Sequence, residues 1–260
     1  MSALYDLDRL RAAGLVRQIE HLAEIGSTND RALQLTAAPD AELPLLVLTD
    51  RQTAGRGRGA NQWWAAEGAI TFSLAIESSA ANIPAHRWPQ LSLTTGLAIC
   101  EALESLTGSL DAQVKWPNDV YLLGRKACGI LIETPPVRDR LVIGVGLNVN
   151  NSFREAPAEL QRSAISLIDY DGQRRDLSEV LLALLERIEA RWRLLAQRGF
   201  SSLIEDWRKR SYLDGRTVRL NSGPQTVVGR CTGIDEDGAL LLQTESKLRR
   251  CHAGTIVSVD

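Results

Sequence analysis

The 260-residue sequence lacks several features that would place it in a specialised class. It has no Cys-x-x-Cys pair; its four cysteines, Cys100, Cys128, Cys231 and Cys251, are widely spaced. That excludes a zinc ribbon or a disulfide framework and points to structural thiols in a reducing compartment. It has no excess of either charge, with 30 Lys+Arg against 32 Asp+Glu and a net charge of -2. A chain-wide electrostatic field for nucleic acid is therefore not indicated. No apolar run approaches membrane-spanning length, and the first residues, MSALYDLDRLRAAG, carry acids rather than an apolar signal core. His21, His86 and His252 show no metal-ligand spacing. Internal repeats and low-complexity tracts are missing too. A cytoplasmic protein is expected, with one substantial core and a small second unit.

Against this neutral background one stretch is strongly basic. TDRQTAGRGRGANQWW, residues 49–64, holds Arg51, Arg56 and Arg58 among Gly55, Gly57 and Gly59, with no acid between them and two tryptophans after. LLVLT (45–49) before it reads as a buried strand. AITFSLAIE (69–77) after it alternates, with Ile70, Phe72, Leu74 and Ile76 on one face. The glycine–arginine stretch is thus a long loop between two strands, and such loops inside compact domains are usually functional or disordered. A Rossmann fingerprint fits the spacing Gly55-x-Gly57-x-x-Ala60 but leaves no room for the helix that must follow. A P-loop is excluded, since no Gly-Lys-Ser/Thr occurs. A loop that wraps an anionic, phosphate-bearing ligand fits better. Glycines let backbone N–H groups approach oxyanions, arginines add charge-assisted bonds, and a tryptophan offers a stacking face.

Elsewhere, GSTNDRALQL predicts a helix capped within Ser27–Asn29, and residues 5–26 give only a weak helical pattern. Helical spacing covers 88–106. VKWPNDVYLLGRKACGILIET (114–134) reads as strand, turn at Leu123–Arg125, strand, and RLVIGVGLNVN (140–150) as a further strand. A helix follows over 176–199, opened by a capping-box pattern from Asp176 to Glu179 and ended at Gly199, then another over 201–211. Beyond Asp214 short strands separated by Gly, Asn, Asp and Ser form a small all-β unit of a size that needs support from a neighbour. In KWPND (115–119), Pro117 removes a donor and biases Trp116 to an extended shape, presenting Lys115, Asn118 and Asp119 at a strand end. The following turn returns Lys126 toward them. Taken one at a time, Asp119 is a turn residue and Lys126 an exposed strand lysine; together, beside an arginine loop, they outline a site for an anion and an incoming amine.

GRGRG-x-N-x-W, KWPNDVYL, RK-x-x-GILIE and VIGVGLNVN, in this order, with GSTN before them, closely resemble the biotin protein ligases from about residue 20 to the end. The resemblance implies an α+β (mixed α/β) catalytic domain over 1–212 and an SH3-like β-barrel over 213–260. It implies that biotin is activated with MgATP as biotinyl-5'-AMP, releasing pyrophosphate, and passed to a lysine of a carboxylase's biotin carrier domain. Ser27, Thr28, Asn29 and Gln52 would meet biotin's polar head group, and Gly129 and Gly144 would let backbone line the slot. Gly55, Arg56 and Arg58 would hold carboxylate and phosphate. Trp63, Lys115, Asn118 and Asn148 would lie at the nucleotide, with Lys126 between the two substrates and Asp119 positioning the attacking amine.

The sequence departs from many bacterial relatives in having Arg58-Gly59-Ala60-Asn61 rather than a more cationic run, and in adding Trp64. About twenty-five residues precede GSTN, too few for a winged helix, so DNA binding is not expected; a monomer or homodimer is. The lipoate ligases and octanoyl transferases share the fold, and the transferases use a cysteine; Cys128, two residues past Lys126, either faces the site or fills the slot. A non-catalytic biotin or nucleotide sensor is the remaining alternative, disfavoured because Lys126, Asp119 and the loop arginines are all present.

Overall fold

The computed structural model describes residues 4–38, 40–77, 88–137 and 139–260; His86 lies outside them. The larger unit is built on a seven-stranded sheet. Its strands are β1 (Gln18–Ile25), β2 (Leu45–Gln52), β3 (Ile70–Glu77), β4 (Ala112–Lys115), β5 (Asp119–Leu122), β6 (Arg125–Glu133) and β7 (Arg140–Leu147), in the spatial order β1-β2-β3-β7-β6-β5-β4. β1 and β2 pair parallel and every other pair is antiparallel, so the sheet is mixed.

The period-two alternation of these strands sends their side chains to two different fates. On one face Leu46, Leu48, Ile70, Phe72, Leu74, Ile143, Val145 and Ile130 join one continuous core. The helices α3 (Trp88–Thr107) and α6 (Leu177–Arg198) contribute to that core and pack against each other. On the other face the short helix α2 (Thr28–Leu35) seals a small apolar cluster of Ala32, Leu45, Val47, Ala75 and Val142. The rest of that second face carries little side chain, and there the candidate site lies.

Local signals explain most boundaries. Ser27 caps α2 by accepting from the Asp30 N–H, and Asp176 caps α6 by accepting from the N–H groups of Ser178 and Glu179. Glu179 itself turns outward to Arg9 rather than back to Asp176, so the cap is one-sided. α1 (Leu7–Ala12) and β1 replace the single weak helix expected over 5–26. β1 is a half-buried edge strand whose Glu20 and Glu24 pair with Arg31 and Arg51, the first pair half-buried and the second exposed, and these charges mask its alternation. The expected strand over 114–122 is two strands, because residues 116–118 form the reversal between β4 and β5. Two short helices not expected from sequence, α4 (Ala158–Ser163) and α5 (Leu167–Asp171), follow β7. The expected helix over 201–211 is a 3-10 turn, Phe200–Leu203, leading into α7 (Ile204–Arg210).

The C-terminal unit is a five-stranded antiparallel sheet, β8 (Thr217–Ser222), β9 (Gln225–Ile234), β10 (Leu240–Gln243), β11 (Leu248–Cys251) and β12 (Thr255–Val259), ordered β11-β10-β9-β8-β12. Its apolar side chains, among them Val218, Leu220, Ile234 and Leu242, are continuous with the main core. Such support is what so small a β unit requires.

Candidate active site

Adjacent strands β3, β7 and β6 form the floor, and β5 and β4 continue it to one end. The register sets Thr71 of β3 opposite Gly146 of β7, Gly146 opposite Gly129 of β6, Gly129 opposite Asp119 of β5, and Asp119 opposite Lys115 of β4. A second row runs from Ser73 through Gly144 to Leu131. The two rows leave a trough nearly free of side chains, walled by charged groups at the β5–β4 end. The cavity above it holds about 350 Å³, within the range of small-molecule sites. The glycines are required by close approach. A Cβ on Gly144 would lie 2.1 Å from Asn29 Oδ1, and one on Gly146 would lie 2.3 Å from the Trp63 ring.

At one end the N-terminus of α2 delivers a polar pocket. Gln52 Oε1 accepts from the Thr28 N–H (2.7 Å) and hydroxyl (3.1 Å). Ser73 Oγ lies 2.8 Å from Thr28 Oγ1 and 2.6 Å from Asn29 Oδ1. Asn29 Nδ2 donates to Glu133 Oε2 (2.8 Å) and the Leu131 carbonyl (3.3 Å). These buried groups are therefore fixed in place before any ligand arrives.

The arginine loop folds over the cavity as a small hairpin. Gly57 N–H donates to the Asn61 carbonyl and Trp63 N–H to the Gly55 carbonyl. A Cβ on Gly55 would meet the Trp63 carbonyl at 2.6 Å, so this glycine shapes the loop and does not itself line the cavity. Arg56 is gripped by Glu133 through both terminal nitrogens, at 2.8 and 2.6 Å, and contacts Asp30 at 2.7 Å. Those carboxylates, Glu133 first, push its pKa upward. Arg58 is half-buried, donates to the Gly254 carbonyl of the C-terminal unit, and has its pKa lowered by burial, with Asp119 opposing the shift. Trp63 lays its ring on Gly146, its Nε1 buried without a partner among the described residues. Trp64 points away and tilts onto Phe153.

Across the trough, Lys126 and Asp119 pair at 2.6 Å. Lys115 donates to the Tyr121 hydroxyl (2.8 Å), and burial lowers its pKa against the pull of Asp119. Burial pushes Tyr121 up to about 12. The turn that carries these groups has a cis Trp116–Pro117 peptide, and Asn118 is tied to Ile130 through both backbone and side chain. Trp116 donates its indole N–H to the Gly238 carbonyl at 3.0 Å, so the C-terminal unit braces this turn. Thr255 and Ile256 of β12 complete the wall.

Lys126 and Cys128 are parted by a bulge. β5 pairs Val120 with Cys128 and Tyr121 with Lys126, which leaves Ala127 as the extra residue. The bulge reverses the alternation, so Lys126 faces the trough and Cys128 faces the core. Cys128 is fully buried and desolvation pushes its thiol upward, away from a reactive thiolate.

The cavity brings together Ser27, Thr28, Asn29, Gln52, Arg56, Arg58, Trp63, Lys115, Asn118, Asp119, Lys126, Gly129 and Gly144. Asn148 stays outside the cavity wall, buried beside it, where its side chain accepts from Asn151 and its N–H donates to the Ala127 carbonyl. Sequence reasoning missed Thr71 and Ser73, which read only as the second face of an alternating strand. It also missed Gly146, the indole seat, and Glu133, the anchor of Arg56. Thr255 and Ile256 carried no local signal.

Residues 22–150 match the biotin/lipoate A/B protein ligase family and residues 215–258 the biotin protein ligase C terminal domain. The chain is 36% identical over 258 residues to the biotin–[acetyl-CoA-carboxylase] ligase of Mycobacterium tuberculosis, covering 96% of this chain and 92% of that one. The chain belongs to the biotin protein ligase family. The bifunctional ligase/repressor BirA of Bacillus subtilis is 33% identical over 236 residues, 89% of this chain and 71% of its own length. Among solved structures, the biotin protein ligase of Aquifex aeolicus in complex with biotin and ATP superposes with a TM-score of 0.82 at 31% identity, covering 94% of this chain and 99% of that one. This biotin protein ligase fold thus extends across both units, including the five-stranded C-terminal sheet.

Proposed function

We propose that this biotin protein ligase activates biotin with MgATP as biotinyl-5'-AMP and transfers the biotinyl group to a lysine of a biotin carboxyl carrier domain. The observation that carries the reading is the trough itself. A polar pocket is fixed at one end, Lys126, Lys115 and Asp119 stand at the other, and two loop arginines lie above. Two anions, a carboxylate and a phosphate, must be brought together, and preorganised cations in a partly dry site offset their repulsion. Ser27, Thr28, Asn29 and Gln52 meet the ureido head, and Gly129 and Gly144 give its rings room. Arg56, Arg58 and Lys126 hold the reacting carboxylate and α-phosphate. Trp63 offers its ring to adenine, with Lys115 and Asn118 at the nucleotide; Gly55 and Asn148 support these groups from outside the wall. Asp119 orients the acceptor amine and receives its proton as the amide forms and AMP leaves. Magnesium enters as part of the MgATP substrate, since it rides on phosphates with few protein ligands.

In this reading the catalytic domain spans 1–212 and the barrel 213–260, and the protein works in the cytoplasm as a monomer or homodimer. ATP–pyrophosphate exchange with biotin, lipoate and octanoate side by side tests it. Exchange with biotin alone is expected; exchange only with lipoate or octanoate would move the chain to a sister activity. Lys126→Ala is expected to cut biotin-dependent exchange by about 10²–10³-fold. Activity within a few-fold of the unaltered protein would remove Lys126 from the adenylation step.

A further inference from the structure

Lys126 and Lys115 share the β5–β4 end of the trough with the Asp119 carboxylate. Asp119 is paired with Lys126 at 2.6 Å, and the hydrogen bond of Lys115 goes elsewhere. Its Nζ donates to the Tyr121 hydroxyl at 2.8 Å and lies 4.7 Å from the centre of the Tyr121 ring. A phenol oxygen is a neutral acceptor. It fixes an ammonium in place but carries no charge to cancel it, whereas a carboxylate at the same distance would do both. The charge of Lys115 therefore stays available for an incoming anion.

Tyr121 is held in its turn. It shares one face of β5 with Asp119, because Val120 and Leu122 alternate with them into the core. Its ring tilts onto the Tyr212 ring, with centres 4.9 Å apart, and the Arg216 guanidinium lies 4.4 Å from the centre of the Tyr212 ring. Tyr212 follows α7, in the segment that leads into the C-terminal unit. Its N–H donates to the Val114 carbonyl at 2.9 Å, and Ser211 bridges Val114 in parallel register, so this segment covers the outer edge of β4. A row of contacts thus runs from Arg216 through Tyr212 and Tyr121 to the Lys115 ammonium. Lys115 lines the cavity, and Tyr121 stands behind it.

We propose that Tyr121 is a positioning residue for the nucleotide, which, braced by Tyr212, holds the Lys115 ammonium at its end of the trough without neutralising it. Tyr121 touches no reacting atom; it acts through Lys115. Its consequence for ATP rests on the ligase reading above, whereas the hold on Lys115 is a property of the ligand-free protein. The charged and titratable groups around Lys115 are Asp119 and Tyr121 on β5, Lys126 on β6, Tyr212 after α7 and Arg58 on the loop after β2. Among them Tyr121 is the group that accepts directly from the ammonium. A hydrogen bond to the ammonium favours the charged form, so removing the phenol oxygen lowers the proton affinity of Lys115 further than burial already does.

Two measurements on the full chain test this, with Tyr121→Phe as the main variant, since it keeps the ring and its contact with Tyr212 but removes the acceptor. The first is competitive acetylation of Lys115 by acetic anhydride across alkaline pH in the ligand-free protein, read by mass spectrometry. The neutral amine is the reactive form, so the midpoint reports the proton affinity of Lys115. Tyr121→Phe is expected to lower this midpoint by about one pH unit. Tyr212→Leu is expected to lower it less, and Tyr212→Phe, which keeps the ring face, to leave it in place. The second is biotin-dependent pyrophosphate exchange. Tyr121→Phe is expected to raise the KM for ATP about tenfold at neutral pH, with the KM for biotin within about twofold and a smaller effect on kcat. Its KM for ATP is also expected to climb at a lower pH than that of the unaltered protein. In a Lys115→Met background Tyr121→Phe is expected to add little, because both remove one interaction.

An unchanged Lys115 midpoint in Tyr121→Phe would overturn the proposal, as would an unchanged KM for ATP in a protein that exchanges with biotin. Equal rises in KM for ATP and biotin, or an undiminished rise in the Lys115→Met background, would also overturn it, since both mark a general loosening of the site. A lowered midpoint in a protein that shows no exchange with biotin would uphold the hold on Lys115 and defeat the ligase reading instead.

Discussion

At the scale of single residues, the site depends on charges held partly out of water. Burial lowers the pKa of Lys115, so its ammonium form is disfavoured by folding. Between that lowered value and the ordinary lysine value, the unfolded chain binds more protons than the folded one, and stability rises with pH across the interval. The unaltered protein should therefore gain on Lys115→Met as pH is raised through this alkaline interval, read as the difference in urea midpoints. A difference that does not change with pH would show that Lys115 keeps its ordinary proton affinity. In the proposed mechanism Asp119 serves the transfer step and not the adenylation step. Asp119→Asn should keep biotin-dependent pyrophosphate exchange within about tenfold yet slow transfer to the carrier lysine by about 10²-fold, in a single-turnover assay. Equal losses in both steps would mean that Asp119 serves only to hold Lys126.

At the scale of elements, β7 carries the clearest conflict between packing and function. Gly146→Ala places a methyl where the Trp63 ring lies, so the indole must leave its seat. The expected result is a raised KM for ATP, about tenfold or more, with a smaller change for biotin; equal changes for both would mean that the ring does not serve the nucleotide. The same strand shows how much could be read in advance. Its Val- and Ile-rich pattern identified it at once, and Gly144 entered as a slot glycine through the family resemblance. Gly146 has no distinguishing local signal, because its reason is a tryptophan more than eighty positions away. The Asp119–Lys126 meeting followed from a hairpin, a local device. The bulge at Ala127 that sends Lys126 and Cys128 to opposite faces is invisible to a strict period of two. β1 was missed because charged edge residues blur its alternation. The capping signals at Ser27–Asn29 and Asp176, by contrast, act within three positions and mark both helix starts, although the sequence leaves open which of Ser27, Thr28 and Asn29 caps α2 and the structure gives Ser27.

At the scale of the whole molecule, the core does not stop at the unit boundary. Leu213, Val218, Leu220, Ile234 and Leu242 belong to the same cluster as Phe72, Leu97 and Trp207. Polar ties cross the interface as well, among them Trp116 to Gly238, Gln90 to Glu236 and Arg58 to Gly254. Heating should therefore give one cooperative calorimetric transition, and a chain ending at residue 212 should lose that transition and its exchange activity. Two resolved transitions, or an active truncated chain, would show that the C-terminal sheet is an accessory.

β7 presents Leu141, Ile143, Val145 and Leu147 to the packed side, and Gly144 and Gly146 to the trough. In a saturation-mutagenesis scan, abundance and turnover would fall out of phase along this strand. Substitutions at 143, 145 and 147 would deplete the protein from the cell, whereas those at 144 and 146 would leave it present and silent. A single strand would thus report, residue by residue, which requirements come from folding and which from the ligand.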